Sequence, residues 1–339
     1  MGDLIDVHSH HYPDSYLEAC RHPDSGFTHY YRDDGRLIVL QDGAVALAAP
    51  QPLPPLEHRL KMMDDAGVDI QVLSVSAPNV FRLPEDIRGP LTRDVNDEFS
   101  DLAGRAAGRL RAFMSLPLPD IKASLAEIDR ALDLPWAVGI AVCTTIDAHT
   151  LDDERLWPVW EELSQRGTTV FCHPTVACCT EGIKEYAIAL ALDFMAETTN
   201  AIGRLVYSGT FDRFPGIKWI FTHLGGSASL FVPRYDNYFH QFPECREKID
   251  RPPSEIMKAL YFDTCTMHPP ALRCAVDTFG PDQLLFGSDY PHVPGGIDRF
   301  VDVLESVGLS DAELAQIGWQ NAGRLLGLDR VQDRRAEVL

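Results

Sequence analysis

Eight short runs of apolar, largely β-branched residues recur along the chain, separated by stretches whose apolar residues return every three or four positions. The strand-like runs are Leu4–His8, Ile70–Val75, Leu110–Leu116, Val138–Val142, Thr169–His173, Lys218–His223, Leu260–Thr264 and Leu284–Ser288. The helical stretches between and after them are Val95–Ala107, Ile121–Leu132, Asp153–Arg166, Tyr186–Ile202, Ser227–Phe239, Pro270–Phe279 and Asp298–Val307. Near-continuous apolar strands alternating with amphipathic helices predict a parallel sheet covered by helices, and eight such units close a (β/α)8 TIM barrel. The competing open, doubly wound sheet would carry Gly-x-Gly-x-x-Gly after its first strand, and none is present.

The pattern is interrupted by a long insertion, residues 12–55, between the first strand and its helix. It carries Asp34-Gly35, Asp42-Gly43 and a Pro-rich stretch over Ala49–Pro55, and its alternation over Arg36–Val45 predicts a small hairpin. In a barrel this segment lies on the C-terminal face, which makes it a candidate lid. Ser310–Leu325 reads as a closing helix. The expected organisation is one α/β domain over residues 1–329, with 330–339 as a charged tail.

Composition narrows the functions this fold serves. The 339 residues are 45% hydrophobic and 9% aromatic, and no apolar run approaches the roughly 18 residues of a membrane span. Fifty acidic against 30 basic residues give a formal charge of −20, which disfavours nucleic acid and anionic membrane surfaces as partners. Met1-Gly2-Asp3 leads straight into the first strand without a basic or apolar leader, so a cytoplasmic location is expected. Eight cysteines lack Cys-x-x-Cys spacing, with Cys178-Cys179 adjacent, and read as reduced packing residues.

The chemistry gathers at strand ends. The first strand runs into His8-Ser9-His10, whose i, i+2 spacing places two imidazoles on one face. His11 points the other way. The fifth strand ends in His173, the sixth in His223-Leu224-Gly225-Gly226, and the eighth in Gly287-Ser288-Asp289-Tyr290-Pro291. All strand C-termini of a parallel barrel open on one face, so four histidines and an aspartate converge there. Three histidines and a carboxylate suit Zn²⁺ with one position left for water, and a further unligated histidine suits a general acid or base. Asp263 is a candidate for orienting a neighbour or for a structural hydrogen bond, Glu197 for supporting the pocket, and His268 and His292 follow the last two strands. His292 is a candidate substrate contact.

Together with Ala196-Glu197-Thr198-Thr199 and Phe211-Asp212-Arg213-Phe214-Pro215-Gly216-Ile217-Lys218, these motifs resemble the amidohydrolase superfamily from the first strand to Leu328. They are most similar to the branch of α-amino-β-carboxymuconate-ε-semialdehyde and γ-resorcylate decarboxylases. The resemblance implies that His8, His10, His173 and Asp289 hold one divalent ion, zinc or alternatively manganese, with His223 as acid/base beside bound water and Asp289 sharing the catalysis. Binuclear relatives use a carboxylated lysine on the fourth strand, and Ala137–Cys143 contains no lysine, which implies a single metal. The implied activity is non-oxidative decarboxylation of a small aromatic or unsaturated carboxylic acid, with mononuclear hydrolysis of an amide, lactone or ester as the alternative. Arg234 matches a substrate-binding arginine contributed across a homodimer. A second family arginine falls near Pro50, leaving Arg32, Arg36 or Arg82 as replacements.

Overall fold

The computed structural model describes residues 3–293 and 295–328; the charged tail at 330–339 lies outside them. β1 (Ile5–His10) leads into α1 (Asp14–Arg21), then into an antiparallel sheet of β2 (Phe27–Tyr31), β3 (Leu37–Gln41) and β4 (Ala44–Ala49), and α2 (Leu56–Asp65) returns the chain to the barrel. β5 (Ile70–Ser74), α3 (Glu85–Arg105), β6 (Leu110–Met114), α4 (Ile121–Ala131) and β7 (Ala137–Cys143) follow, with a small ribbon of β8 (Thr145–Ile146) and β9 (His149–Thr150) before α5 (Trp157–Gln165). The second half comprises β10 (Thr169–His173), α6 (Phe194–Tyr207), α7 (Thr210–Arg213), β11 (Lys218–Phe221), α8 (Ala228–Gln241), α9 (Pro253–Met257) and β12 (Tyr261–Asp263). It ends with α10 (Pro269–Phe279), β13 (Leu284–Leu285), α11 (Asp298–Ser306), α12 (Asp311–Ala315) and α13 (Asn321–Leu326).

Eight parallel strands form one sheet in the order β1-β5-β6-β7-β10-β11-β12-β13. Its two edges meet: the Val7 amide donates to the Phe286 carbonyl at 2.9 Å, and the His10 amide to the Tyr290 carbonyl at 2.7 Å. Each of the eight predicted strands lies at one of these positions. Inside the barrel, Ile5, Val7, Ile70, Val72, Phe113 and Phe171 form an apolar plug that α13 closes from below. Outside, alternate residues such as Leu73, Ala112, Ile140 and Val170 pack beneath the helices. This part of the interior is therefore apolar below the level at which the histidines emerge.

The insertion differs from a single hairpin. The predicted hairpin is β3–β4, turned by Asp42-Gly43 with φ of 50° and 84°, the doubly left-handed turn that Asp-Gly favours. β2 adds a third strand, and α1 precedes it. The helix expected at Ser310–Leu325 is split by a π-helical turn over Gln316–Gln320, and α3 starts ten residues before the predicted Val95.

Candidate metal centre and active-site cavity

β1 delivers both of its histidines into the barrel because its pairing with β5 slips between Asp6 and Ser9. Strict alternation would turn Val7 and His8 to opposite faces; the slip leaves Val7 in the interior cluster and also turns His8 inward, its ring edge-on to Phe171 at 5.3 Å. Asp6 pins the slip. Its Oδ1 accepts from the His8 amide at 3.1 Å and the Ser288 amide at 3.0 Å, and its Oδ2 from Ser288 Oγ at 2.6 Å and Gln71 Nε2 at 2.8 Å. Burial pushes this carboxyl up to about 6 against those hydrogen bonds. The first and last strands, and with them His8 and Asp289, are thus held in register by one side chain.

The tautomers follow from the acceptors. His8 Nδ1 donates to Asp263 Oδ2 at 2.6 Å, with both side chains fully buried. His10 Nδ1 is 3.0 Å from Ser74 Oγ, whose own hydroxyl donates to the Ser9 carbonyl, so the imidazole is the donor. His173 Nδ1 donates to the Pro174 carbonyl at 2.7 Å. Each Nε2 of the neutral rings therefore carries a lone pair. Those of His8 and His10 stand 3.0 Å apart, and each lies 3.3 and 3.0 Å, respectively, from Asp289 Oδ1.

With every ring neutral, lone pairs and a carboxylate this close repel one another unless a cation sits between them. Two donors bound at about 2.0–2.1 Å to one ion stand roughly 3.0–3.4 Å apart, so the observed spacing fits a single divalent metal. Donor atoms of His8, His173, His223 and Asp289 lie within 4.8 Å of one another, as do those of His10, Asp289 and His292. Burial lowers the His10 pKa to about 3 and that of His173 well below its ordinary value, keeping both neutral and ready to ligate. His8 moves upward despite burial, because Asp263 and Asp289 favour its charged form. Asp289 moves well below the usual carboxylate range; burial opposes this, and His8, His10 and His223 together outweigh it. The His8–Asp289 attraction contributes to both shifts.

His223 and Asp289 both adopt left-handed backbone conformations, with φ of 54° and 57°, at the ends of β11 and β13. Such conformations are uncommon outside glycine and here turn both side chains over the barrel mouth. His223 Nε2 faces Asp289 Oδ2 at 3.6 Å, while its buried Nδ1 has no protein partner.

Above this centre lies a cavity of about 350 Å³. Ala46, Leu47 and Ala48 of β4 line it, as do Phe194, Met195 and Met267, while Ser76, His173, His223, Asp289 and His292 supply polar atoms. His292 lines the cavity with both nitrogens engaged: Nε2 with the Tyr12 hydroxyl, and Nδ1 at 3.3 Å with the Ala48 carbonyl of the insertion. His11 turns away to Glu98 at 3.2 Å, and His268 is an exposed residue preceding α10.

Arg234 is not brought to this cavity within the chain. It lies exposed on α8, 2.9 Å from the Tyr238 hydroxyl, along a neighbouring groove. Arg82 pairs with Asp42 at 2.9 Å, Arg32 and Arg36 face Asp34, and none of the three lines the cavity. Sequence reasoning did not single out Tyr12, Ser76 or Phe194. Continuing the i, i+2 alternation from His8 and His10 leads to Tyr12; Ser76 and Phe194 carry no local signal.

A closed parallel barrel with a histidine–aspartate centre at its C-terminal mouth defines a metal-dependent α/β-barrel enzyme. The amidohydrolase family model matches residues 5–328, and the chain belongs to that family. It is 28% identical over 281 residues to the 2-amino-3-carboxymuconate-6-semialdehyde decarboxylase of Dictyostelium discoideum, covering 80% of this chain and 76% of that protein. It is likewise 28% identical over 319 residues to the 6-methylsalicylic acid decarboxylase of Penicillium expansum, covering 92% and 93%. Among solved structures, the apo form of Metarhizium anisopliae IDCase superposes with a TM-score of 0.85 at 25% identity, covering 97% of this chain and 98% of that one.

Proposed function

We propose that this chain is a metal-dependent, non-oxidative decarboxylase of a small aromatic carboxylic acid. The observation that carries the reading is the convergence of three tautomer-fixed Nε2 lone pairs and Asp289 beneath a small, mostly apolar cavity that His223 also lines. The decarboxylase names of the relatives support C–C cleavage over the hydrolytic alternative.

In this reading His8, His10, His173 and Asp289 hold one divalent ion, zinc by the preference of neutral imidazole, with manganese as the alternative. When bound, the ion supplies positive charge that holds and polarises the oxygens of the acid. His223 delivers a proton from Nε2 to the ring carbon bearing the carboxylate. The C–C electron pair then returns to the ring as CO₂ leaves, so one proton and one carboxylate become one C–H bond and one CO₂. Asp289 Oδ2, 3.6 Å from His223 Nε2, steadies the charged imidazole before transfer. The apolar walls exclude water and strengthen that interaction. Residues 12–55 act as the lid, since β4 roofs the cavity and His292 ties its backbone to Tyr12.

The groove beside Arg234 presents Leu192 and Phe231 at 62% and 40% exposure, with Leu230 at 65% nearby, which supports a homodimer built on this face. No described helix is long and apolar enough to cross a membrane. All eight cysteines are unpaired, which supports a reducing, cytoplasmic setting. The test is CO₂ release from a panel of hydroxybenzoates and muconate-type acids by the zinc- and manganese-loaded protein, set against amine or alcohol release from amides, lactones and esters. CO₂ from at least one acid is expected; none from any acid, with metal bound, overturns the reading.

A further inference from the structure

We infer that the cavity selects an arene carboxylate bearing an alkyl substituent and no second anionic group; this rests on the decarboxylase reading above. Among the described residues, no lysine or arginine lines the cavity. Arg32, Arg36 and Arg82 pair with Asp34 and Asp42 outside the cavity, and the buried Arg59 is taken up by the His10 carbonyl at 2.6 Å and Gln71 Oε1 at 2.9 Å. Away from the metal centre, the polar lining is sparse. Ser76 Oγ lies 3.5 Å from the His173 ring nitrogens, His292 has both nitrogens engaged, and the Thr266 hydroxyl accepts from the His268 amide at 3.2 Å.

A substrate has one anchor for charge, the metal centre beside His223, and for the rest of its ring meets Leu47, Phe194, Met195 and Met267. A second carboxylate in that position would be desolvated without a cationic partner, and an added hydroxyl would have only the Ser76 and Thr266 hydroxyls in place of its hydrogen bonds to water. A methyl or ethyl group gains by leaving water. Arg234 lines a separate groove that shares only Met195 with the cavity, so within one chain it does not reverse this preference.

The test is calorimetric binding to the zinc-loaded, full-length protein, using 2-hydroxybenzoate and its derivatives carrying methyl, ethyl, hydroxyl or carboxylate at each other ring position in turn. At the best-tolerated position, each added carbon is expected to tighten binding about fourfold. At that position the hydroxyl should weaken binding about tenfold, and the carboxylate at least as much. Met267→Arg, at a residue 53% exposed on the cavity mouth, should restore the carboxylate derivative by tenfold or more. The inference is overturned if the hydroxyl or carboxylate derivative binds as tightly as the methyl one at the position where the methyl derivative binds best. It is equally overturned if tight carboxylate binding disappears on Arg234→Ala, because a second copy would then supply the missing cation. Binding and turnover separate the two readings. The expected order without CO₂ release sinks the decarboxylase alone, and CO₂ release with a preference for dihydroxy or dicarboxylic acids sinks the inference alone.

Discussion

Asp263→Asn should weaken metal binding about tenfold while leaving every proposed ligand in place. Asp263 Oδ2 holds the Nδ1 proton of His8 at 2.6 Å, and Oδ1 accepts from the Cys265 amide at 3.0 Å, all in a fully buried setting. A hydrogen bond to a charged partner contributes about 1.5–3 kcal/mol net and is roughly twice as strong as its neutral counterpart. The asparagine keeps an acceptor and removes the charge, so the imidazole loses about 1–1.5 kcal/mol of the support that makes Nε2 a better donor. That corresponds to about a tenfold weaker dissociation constant, at the lower end of the 10–100-fold range for partners of ligating histidines.

The assay is a zinc titration in competition with a chromophoric chelator, repeated between pH 6 and 8. Wild-type affinity should fall toward low pH, because Asp263 and Asp289 also stabilise the protonated His8 that competes with the metal. Removing the Asp263 charge lowers the His8 pKa, so the variant should lose affinity over a lower pH range, and its deficit should narrow at pH 6. Unchanged zinc affinity at pH 8 with an intact fold would refute the argument, since Asp263 would then be a structural hydrogen bond and nothing more.

Three further outcomes follow from the same geometry. His223→Asn should retain stoichiometric metal by elemental analysis and lose at least a hundredfold in kcat; loss of the metal would make His223 a ligand instead of the acid. Gly287→Ala should reduce metal content as well as stability, because an added Cβ would stand 2.9 Å from the Cβ atoms of both His8 and Asp263, and a merely destabilised barrel with full metal loading would contradict this. Burial, together with Asp193, raises Glu197 to about 7, so the folded state holds a proton that the unfolded state releases near its ordinary 4.5. Stability should therefore fall as pH rises from about 4.5 to 7, and Glu197→Gln should flatten that part of the thermal-midpoint profile; Cys178, whose thiol senses Glu197, should titrate lower in the variant.

The barrel was legible because its signal repeats. Eight apolar runs with helices between them encode a parallel sheet eight times over, and an error of two residues at any end leaves the architecture intact. The strand ends were legible for a related reason: a histidine or aspartate directly after an apolar run has one destination in such a barrel, the C-terminal mouth. Arg234 was read as acting across a homodimer, and a single chain, in which it lies on a neighbouring groove, leaves that role a proposal. The sheet of β2, β3 and β4 was half read, since Asp42-Gly43 marks its turn whereas β2 is mostly polar and solvent-facing.

What no local pattern showed is the slip in β1. His8 and His10 share a face by alternation, but alternation also sets them opposite Val7, and a uniform strand with Val7 in the interior would have turned both imidazoles toward the helices. Asp6 is the side chain that makes the difference, because its carboxylate binds the His8 amide and the Ser288 amide together. The metal centre is thus assembled where the barrel closes: one strand edge carries His8 and His10, the other carries Asp289, and a buried carboxylate with no expected contact to the metal holds the seam. This explains why an aspartate stands between the apolar Ile5 and Val7 of β1. Replacing it with a leucine would improve the hydrophobic pattern while leaving the Ser288 hydroxyl, the Gln71 amide and the His8 amide without their acceptor.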